Sequence, residues 1–154
     1  MKLKNTPLLF IFVLVLQACT SMPIAEEAAQ ISPAVTTTAV LCDDMSFDPY
    51  TTDITIPDGT VMSPGQEFVK TWKIKNTGSC VWGAGYGLAY ANYAGRMSGV
   101  AQPLAGVVEI GQEVEVSVSF KAPDKTGEYL SAWQMVNNKG IPFGKPLYVK
   151  ILVK

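Results

Sequence analysis

The chain has 154 residues, with 12 basic and 13 acidic side chains and no histidine. Near-balanced charge leaves no basic field to hold nucleic acid or an anionic membrane surface. The missing imidazole removes histidine triads, histidine-ligated zinc and most histidine acid/base chemistry, and the length suits one domain with a real core.

At the start, Lys2 and Lys4 precede an apolar run from Leu8 to Leu16 that ends in Leu16-Gln17-Ala18-Cys19. This is the layout of a secretory signal, and nine apolar residues fall short of the roughly 20 that cross a bilayer as a helix. Leu-x-Ala-Cys resembles the bacterial lipobox, which implies removal of residues 1–18 and lipid modification of Cys19 as the new N-terminus. The expectation is a bacterial lipoprotein held in the cell envelope by its lipid anchor. It would sit on the outer side of the cytoplasmic membrane or at the outer membrane, and Thr20 in place of Asp favours the latter.

Residues 19–41 read as the lipidated Cys and a flexible Ala/Thr/Pro tether, bracketed by Pro23 and Pro33, with a reach on the order of 25 Å. Once Cys19 is acylated, Cys42 and Cys80 are the remaining thiols. In an oxidising compartment they read first as a disulfide closing a 38-residue loop, worth about 4 kcal/mol in the chain-entropy model. Two free or separately used thiols are the alternative. A two-cysteine metal site lacks its other ligands, so no metal and no cofactor is expected.

From Cys42 onward, short alternating runs are separated by turn residues. Phe68 to Lys75 sets Trp72 and Ile74 opposite Thr71, Lys73 and Lys75. Glu113 to Phe120 sets Val114, Val116, Val118 and Phe120 opposite Glu115, Ser117 and Ser119, as a half-buried strand requires. Leu147, Val149, Ile151 and Val153 alternate likewise, and Ile54 with Ile56, Tyr86 to Tyr90 and Glu128 to Val136 add three more candidates. Pro57-Asp58-Gly59, Pro64-Gly65, Asn76-Thr77-Gly78 and Asn137 to Gly140 punctuate them. Six or seven short strands without an amphipathic helix predict an all-β fold, an antiparallel β-sandwich.

The candidate residues divide by position. Trp72 and Trp133 lie mid-strand and read as core. Trp82, two residues after Cys80, either packs on the disulfide or lies partly exposed. Tyr129 follows Asp124-Lys125-Thr126-Gly127 and is either a tyrosine corner or an ordinary strand tyrosine. The stretch Tyr86 to Met97 holds Tyr90, Tyr93 and Arg96, rigid amphipathic anchors of the kind used at contact surfaces, although a plain strand and loop also fits. Asp43, Asp44 and Asp48 read as a solvated acidic turn; of Lys70, Lys73 and Lys75 only Lys73 and Lys75 share a strand face, and a solvated sheet face accounts for the cluster. No pair of carboxylates is marked out for hydrolysis and no phosphate-binding glycine loop opens a helix, so an enzyme is not expected.

Three segments carry a family resemblance: Phe-x-Lys-x-Trp-x-x-x-Asn-Thr-Gly at Phe68 to Gly78 with Trp82 soon after, Ala-Pro-x-x-x-Gly-x-Tyr at Ala122 to Tyr129, and Phe143-Gly144 before the last strand. Together they resemble the immunoglobulin-like four-tryptophan domain of the next-to-breast-cancer-one type of autophagy cargo receptor, found also in many bacterial envelope proteins. The similarity covers roughly residues 42–154. It implies an Ig-like antiparallel β-sandwich of about seven strands that is not catalytic and mediates protein or peptide contacts. Trp72, Trp82 and Trp133 match three family tryptophans, while Tyr90 or Ala91, and Tyr148, stand at the remaining place or places. Paired Cys42 and Cys80 look like a feature of secreted members.

The expected function is a lipid-anchored interaction module for an envelope or extracellular protein or peptide, with Trp82, Tyr90, Tyr93 and Arg96 as ligand contacts. The alternative is a carbohydrate-binding accessory module that uses exposed aromatic rings.

Overall fold

Alternation of apolar with polar side chains from Glu113 to Phe120 asks for a strand with one face in a core, and the computed structural model, which describes residues 41–154, forms a strand there. The strands in chain order are β1 (Met45–Ser46), β2 (Thr60–Met62), β3 (Glu67–Asn76), β4 (Gly87–Ala94), β5 (Val100–Ala101), β6 (Glu113–Lys121), β7 (Gly127–Val136) and β8 (Pro142–Val153). They build two four-stranded sheets, ordered β1-β3-β6-β5 and β2-β8-β7-β4. Packed face to face, these form an Ig-like β-sandwich.

The count exceeds seven because β1 and β5 are two-residue strands, too short to leave a periodic signal. One pairing is parallel: Thr60, Val61 and Met62 run beside Ile151, Leu152 and Val153 in the same direction. The connector 47–59 carries the chain from the first sheet to the second and so delivers β2 alongside the end of β8. The strand expected at Ile54 and Ile56 does not form. Ile54 and Thr55 donate their amides to the Thr71 carbonyl, and Ile56 has φ 51°, a left-handed conformation no strand tolerates.

Inward side chains of both sheets make the core. From the first sheet come Phe68, Trp72, Ile74, Val116, Val118 and Phe120; from the second Trp133, Met135, Leu147, Val149, Ile151 and Val153. Phe120 links the layers, stacked on Phe68 at 5.2 Å and edge-on to Trp133 at 5.8 Å. Burying Phe68, Phe120 and Trp133 against one another removes hundreds of Å² of apolar surface from water, at about 25 cal/mol per Å².

Cys42 and Cys80 form the disulfide, which fastens the start of the described chain to the turn after β3. Gly78 is required beside it, because a Cβ there would collide with the Cys42 carbonyl. Asn76, fully buried, holds the same turn: its amide nitrogen donates to the carbonyls of Cys80 and Val108, and its oxygen accepts from the Gly78 amide.

Candidate functional site

The tyrosine- and glycine-rich stretch becomes β4 and the loop after it, at the rim of the second sheet. Leu88 and Tyr90 point inward and pair with Met135 and Trp133, after which the register slips so that Ala94, rather than Asn92, meets Ser131. Two residues are thereby inserted on β4. Asn92 (φ 54°), Ala94 (φ 63°), Met97 (φ 50°) and Ser98 (φ 54°) all take left-handed backbone conformations within seven positions. Such a concentration outside glycine costs on the order of 1–3 kcal/mol per residue and persists where surrounding structure enforces it.

Several bonds do the enforcing. The Gly95 amide donates to the Leu130 carbonyl, the Lys121 amide to the Met97 carbonyl, and the Tyr90 hydroxyl to the Ala94 carbonyl. The Trp133 indole N–H donates to Ser131 Oγ at 3.0 Å. Gly99 lets the loop pass tightly over Trp133, whose ring a Cβ at that position would strike.

The result presents two of the expected contact residues together. Tyr93 is pushed out by the inserted residues and is 64% exposed. The Arg96 guanidinium lies 5.8 Å from the Tyr90 ring and 5.9 Å from the Trp133 ring, and its Nε donates to the Gly99 carbonyl at 3.2 Å. Ion pairs among the described residues are Lys70–Asp53, Lys73–Glu113 and Lys150–Glu128, so Arg96 is oriented by rings and backbone and faces no carboxylate. Tyr90 supports this arrangement from below, half-buried, through its 5.9 Å contact with Trp133.

Trp82 stands apart from this group. It is fully buried, pairs through its backbone with Val108 and packs on Phe143 at 5.6 Å. The expectation that it contacts a ligand is corrected: the indole is packed inside the sandwich against Phe143 and has no exposed surface. Trp72 and Trp133 are likewise buried, and Tyr129, half-buried, donates its hydroxyl to the Lys125 carbonyl four residues earlier.

Lys70 also departs from expectation. It lies on the core face of β3 between Phe68 and Trp72, with no exposed surface. Its ammonium reaches Asp53 at 2.6 Å and the Thr55 and Ile56 carbonyls at 2.8 Å each, 5.6 Å from the Trp72 ring. Desolvation pulls its pKa below the usual lysine value, against the opposing pull of Asp53. Period-two spacing in Phe-x-Lys-x-Trp was the signal for this inward position.

Among the described residues no group of three His, Cys, Asp or Glu side chains converges to hold a metal ion. Exposed Tyr50, Tyr93 and Tyr148 lie on three separate elements, the β1–β2 connector, β4 and β8.

Residues 55–153 match the family model of the Ig-like domain from next to BRCA1 gene. The chain is similar to the protein JOKA2 of Solanum tuberosum, 34% identical over 66% of this chain and 12% of that one. It is similar to the NBR1 homolog of Arabidopsis thaliana, at 35% over 68% of this chain and 15% of the relative, and to the human next to BRCA1 gene 1 protein, at 35% over 66% and 11%. The chain therefore spans a small part of these relatives' length.

These relatives are plant and human proteins, which overturns the expected location in a bacterial cell envelope. Cys19 and residues 1–40, on which that expectation rested, lie outside the described residues.

Proposed function

The chain belongs to the family of the Ig-like domain from next to BRCA1 gene, and from that premise we propose that residues 42–154 are a non-catalytic module that recognises another protein. The observation that carries this reading is the rim of β4. There an exposed Tyr93 lies three residues before an Arg96 stacked on Tyr90 and Trp133, and among the described residues no carboxylate pairs with that arginine. Tyrosine and arginine on a rigid base lose little conformational entropy when a partner covers them, and this pairing dominates protein contact surfaces. Trp72, Trp82 and Trp133 serve the reading indirectly, as the core on which the rim is built.

Site-specific photo-crosslinking tests it. A photoreactive phenylalanine analogue in place of Tyr93 is expected to capture a discrete protein partner, whereas the same group in place of exposed Thr126 is not. Equal capture from both positions, or none from Tyr93, rejects the surface.

A further inference from the structure

We propose that the partner binds as an extended acidic segment that adds to the second sheet along the free edge of β4, with a carboxylate on Arg96; this rests on the protein-recognition reading above. The sandwich has four sheet edges, and three are short: β1 and β5 have two residues each and β2 has three. The fourth, β4, has eight, Gly-Leu-Ala-Tyr-Ala-Asn-Tyr-Ala, without a charge or a proline. Sheet proteins ordinarily blunt such an edge with lysine, proline or an early bulge. Here the inserted residues come only after Tyr90, so Gly87 to Tyr90 stays regular, paired to β7 on one side and, among the described residues, to no strand on the other.

Two further features fix the kind of segment. A hollow of about 270 Å³ lies across β4, β7 and the start of β8, with Ala89 to Asn92 on its β4 side and Gln134, Val136 and Pro142 opposite. Ala89 and Ala91 alternate with Tyr90 along β4 and leave room for short aliphatic side chains of a strand added at the edge, which project to alternate faces. Past the inserted residues, Arg96 offers an oriented guanidinium to the same strand, and a bidentate carboxylate is its natural complement. The guanidinium lies 5.8 Å from the Tyr90 ring, three positions along β4 from Gly87, so about four or five extended residues, at about 3.3 Å each, reach from Gly87 to this cation. A second copy of the chain fits poorly, because β4 carries no carboxylate and mutual pairing of two β4 edges leaves both Arg96 side chains unmatched.

The test uses the full-length oxidised chain and random heptapeptides displayed on phage. The expected consensus alternates small aliphatic residues and carries an Asp or Glu at one end. Arg96→Glu is expected to weaken the selected peptides at least tenfold, with Arg96→Lys intermediate and both variants retaining the wild-type circular dichroism spectrum. Peptides N-methylated at alternate amides discriminate the binding mode: one set of positions abolishes binding and the other leaves it intact. Selected peptides that ignore both the charge reversal and the N-methyl pattern overturn strand addition, as does a failure to select any peptide or a dimer held together through β4. Crosslinking at Tyr93 that still captures a protein in those cases leaves the recognition reading standing, whereas its loss rejects both.

Discussion

Lys70 and Asp53 form an ion pair 2.6 Å long in which the lysine is fully buried and the aspartate side chain keeps about a third of its surface in water, at 32%. The pair joins the β1–β2 connector to the centre of β3, and the Thr55 and Ile56 carbonyls complete the ammonium's partners. Removing one member of a buried pair strands the other, and the cost is smaller where the remaining partner still reaches water. Asp53→Ala is therefore expected to destabilise by about 2–3 kcal/mol, below the usual range for a fully buried pair because water reaches the carboxylate. Lys70→Met leaves Asp53 within reach of water but strands the Thr55 and Ile56 carbonyls, and is expected to cost about 1–2 kcal/mol. Urea unfolding of both variants checks the order, and a larger loss for Lys70→Met contradicts it.

The same lysine gives a pH dependence. Burial lowers its folded pKa, so between that value and the ordinary 10.5 the unfolded chain binds more protons than the native one. Stability then rises with pH in that alkaline window, because the cost of holding a buried charge is present below the folded value and is relieved above it. The stability difference between the wild type and Lys70→Met is expected to shift in favour of the wild type as the pH approaches 10.5. A flat difference across pH 8 to about 10.5 rejects the assignment.

Lys70 also shows where sequence reading stops. The periods of β3, β6 and β8 are local, so Phe68, Trp72, Val118 and Ile151 reveal their inward face in one dimension. Lys70 shares that period, but ion pairs and solvation bias any reading of a lysine outward, and its partner Asp53 lies 17 positions away in a connector that looked like a strand. Trp82 was ambiguous for a similar reason: its burial depends on Val108, with which it pairs across the turn-rich stretch between β5 and β6. At the rim, Tyr90, Tyr93 and Arg96 were legible as a cluster because they are close in the chain. The stacking of Arg96 on Trp133 was not, since it requires the β4–β7 register and the two inserted residues.

At the other end of the sandwich, the disulfide and Asp43 staple the first described residues. Asp43 accepts from the Tyr86 hydroxyl and the Asn137 amide, both at 2.8 Å. Reduction of Cys42–Cys80, which closes a separation of 38 residues, is expected to cost about 4 kcal/mol. Tyr86→Phe is expected to cost about 1 kcal/mol. Thermal unfolding with and without a dithiol reductant checks the first and urea unfolding the second. Equal stability of the oxidised and reduced chains is the result that rejects the staple.

The three tryptophans differ in what their indole N–H groups meet. Trp72 donates to the Tyr148 carbonyl at 3.1 Å and Trp133 to Ser131 Oγ at 3.0 Å, whereas the buried Nε1 of Trp82 has no partner among the described residues. Substitution by phenylalanine opens a comparable cavity at each position, but only at Trp72 and Trp133 does it also strand an acceptor. Trp82→Phe is expected to be the mildest of the three, by about 1 kcal/mol. Equal losses in urea unfolding point to a partner for the Trp82 nitrogen.

Arg96 separates recognition from stability. Its cation–π contacts lie at the exposed rim and its Nε bond runs to one backbone carbonyl, so Arg96→Ala is expected to cost no more than about 1 kcal/mol. Tyr90→Ala removes a ring packed on Trp133 and is expected to cost more, because a cavity opens against the core. The crosslinking yield from position 93 is expected to follow the opposite rule, falling with Arg96→Ala even though the fold is intact. Rings alone do not select a partner's charge; the guanidinium they hold in place does. An Arg96→Ala variant that keeps full crosslinking at wild-type stability assigns selection to Tyr93 and its neighbours on β4, and removes the acidic requirement from the partner.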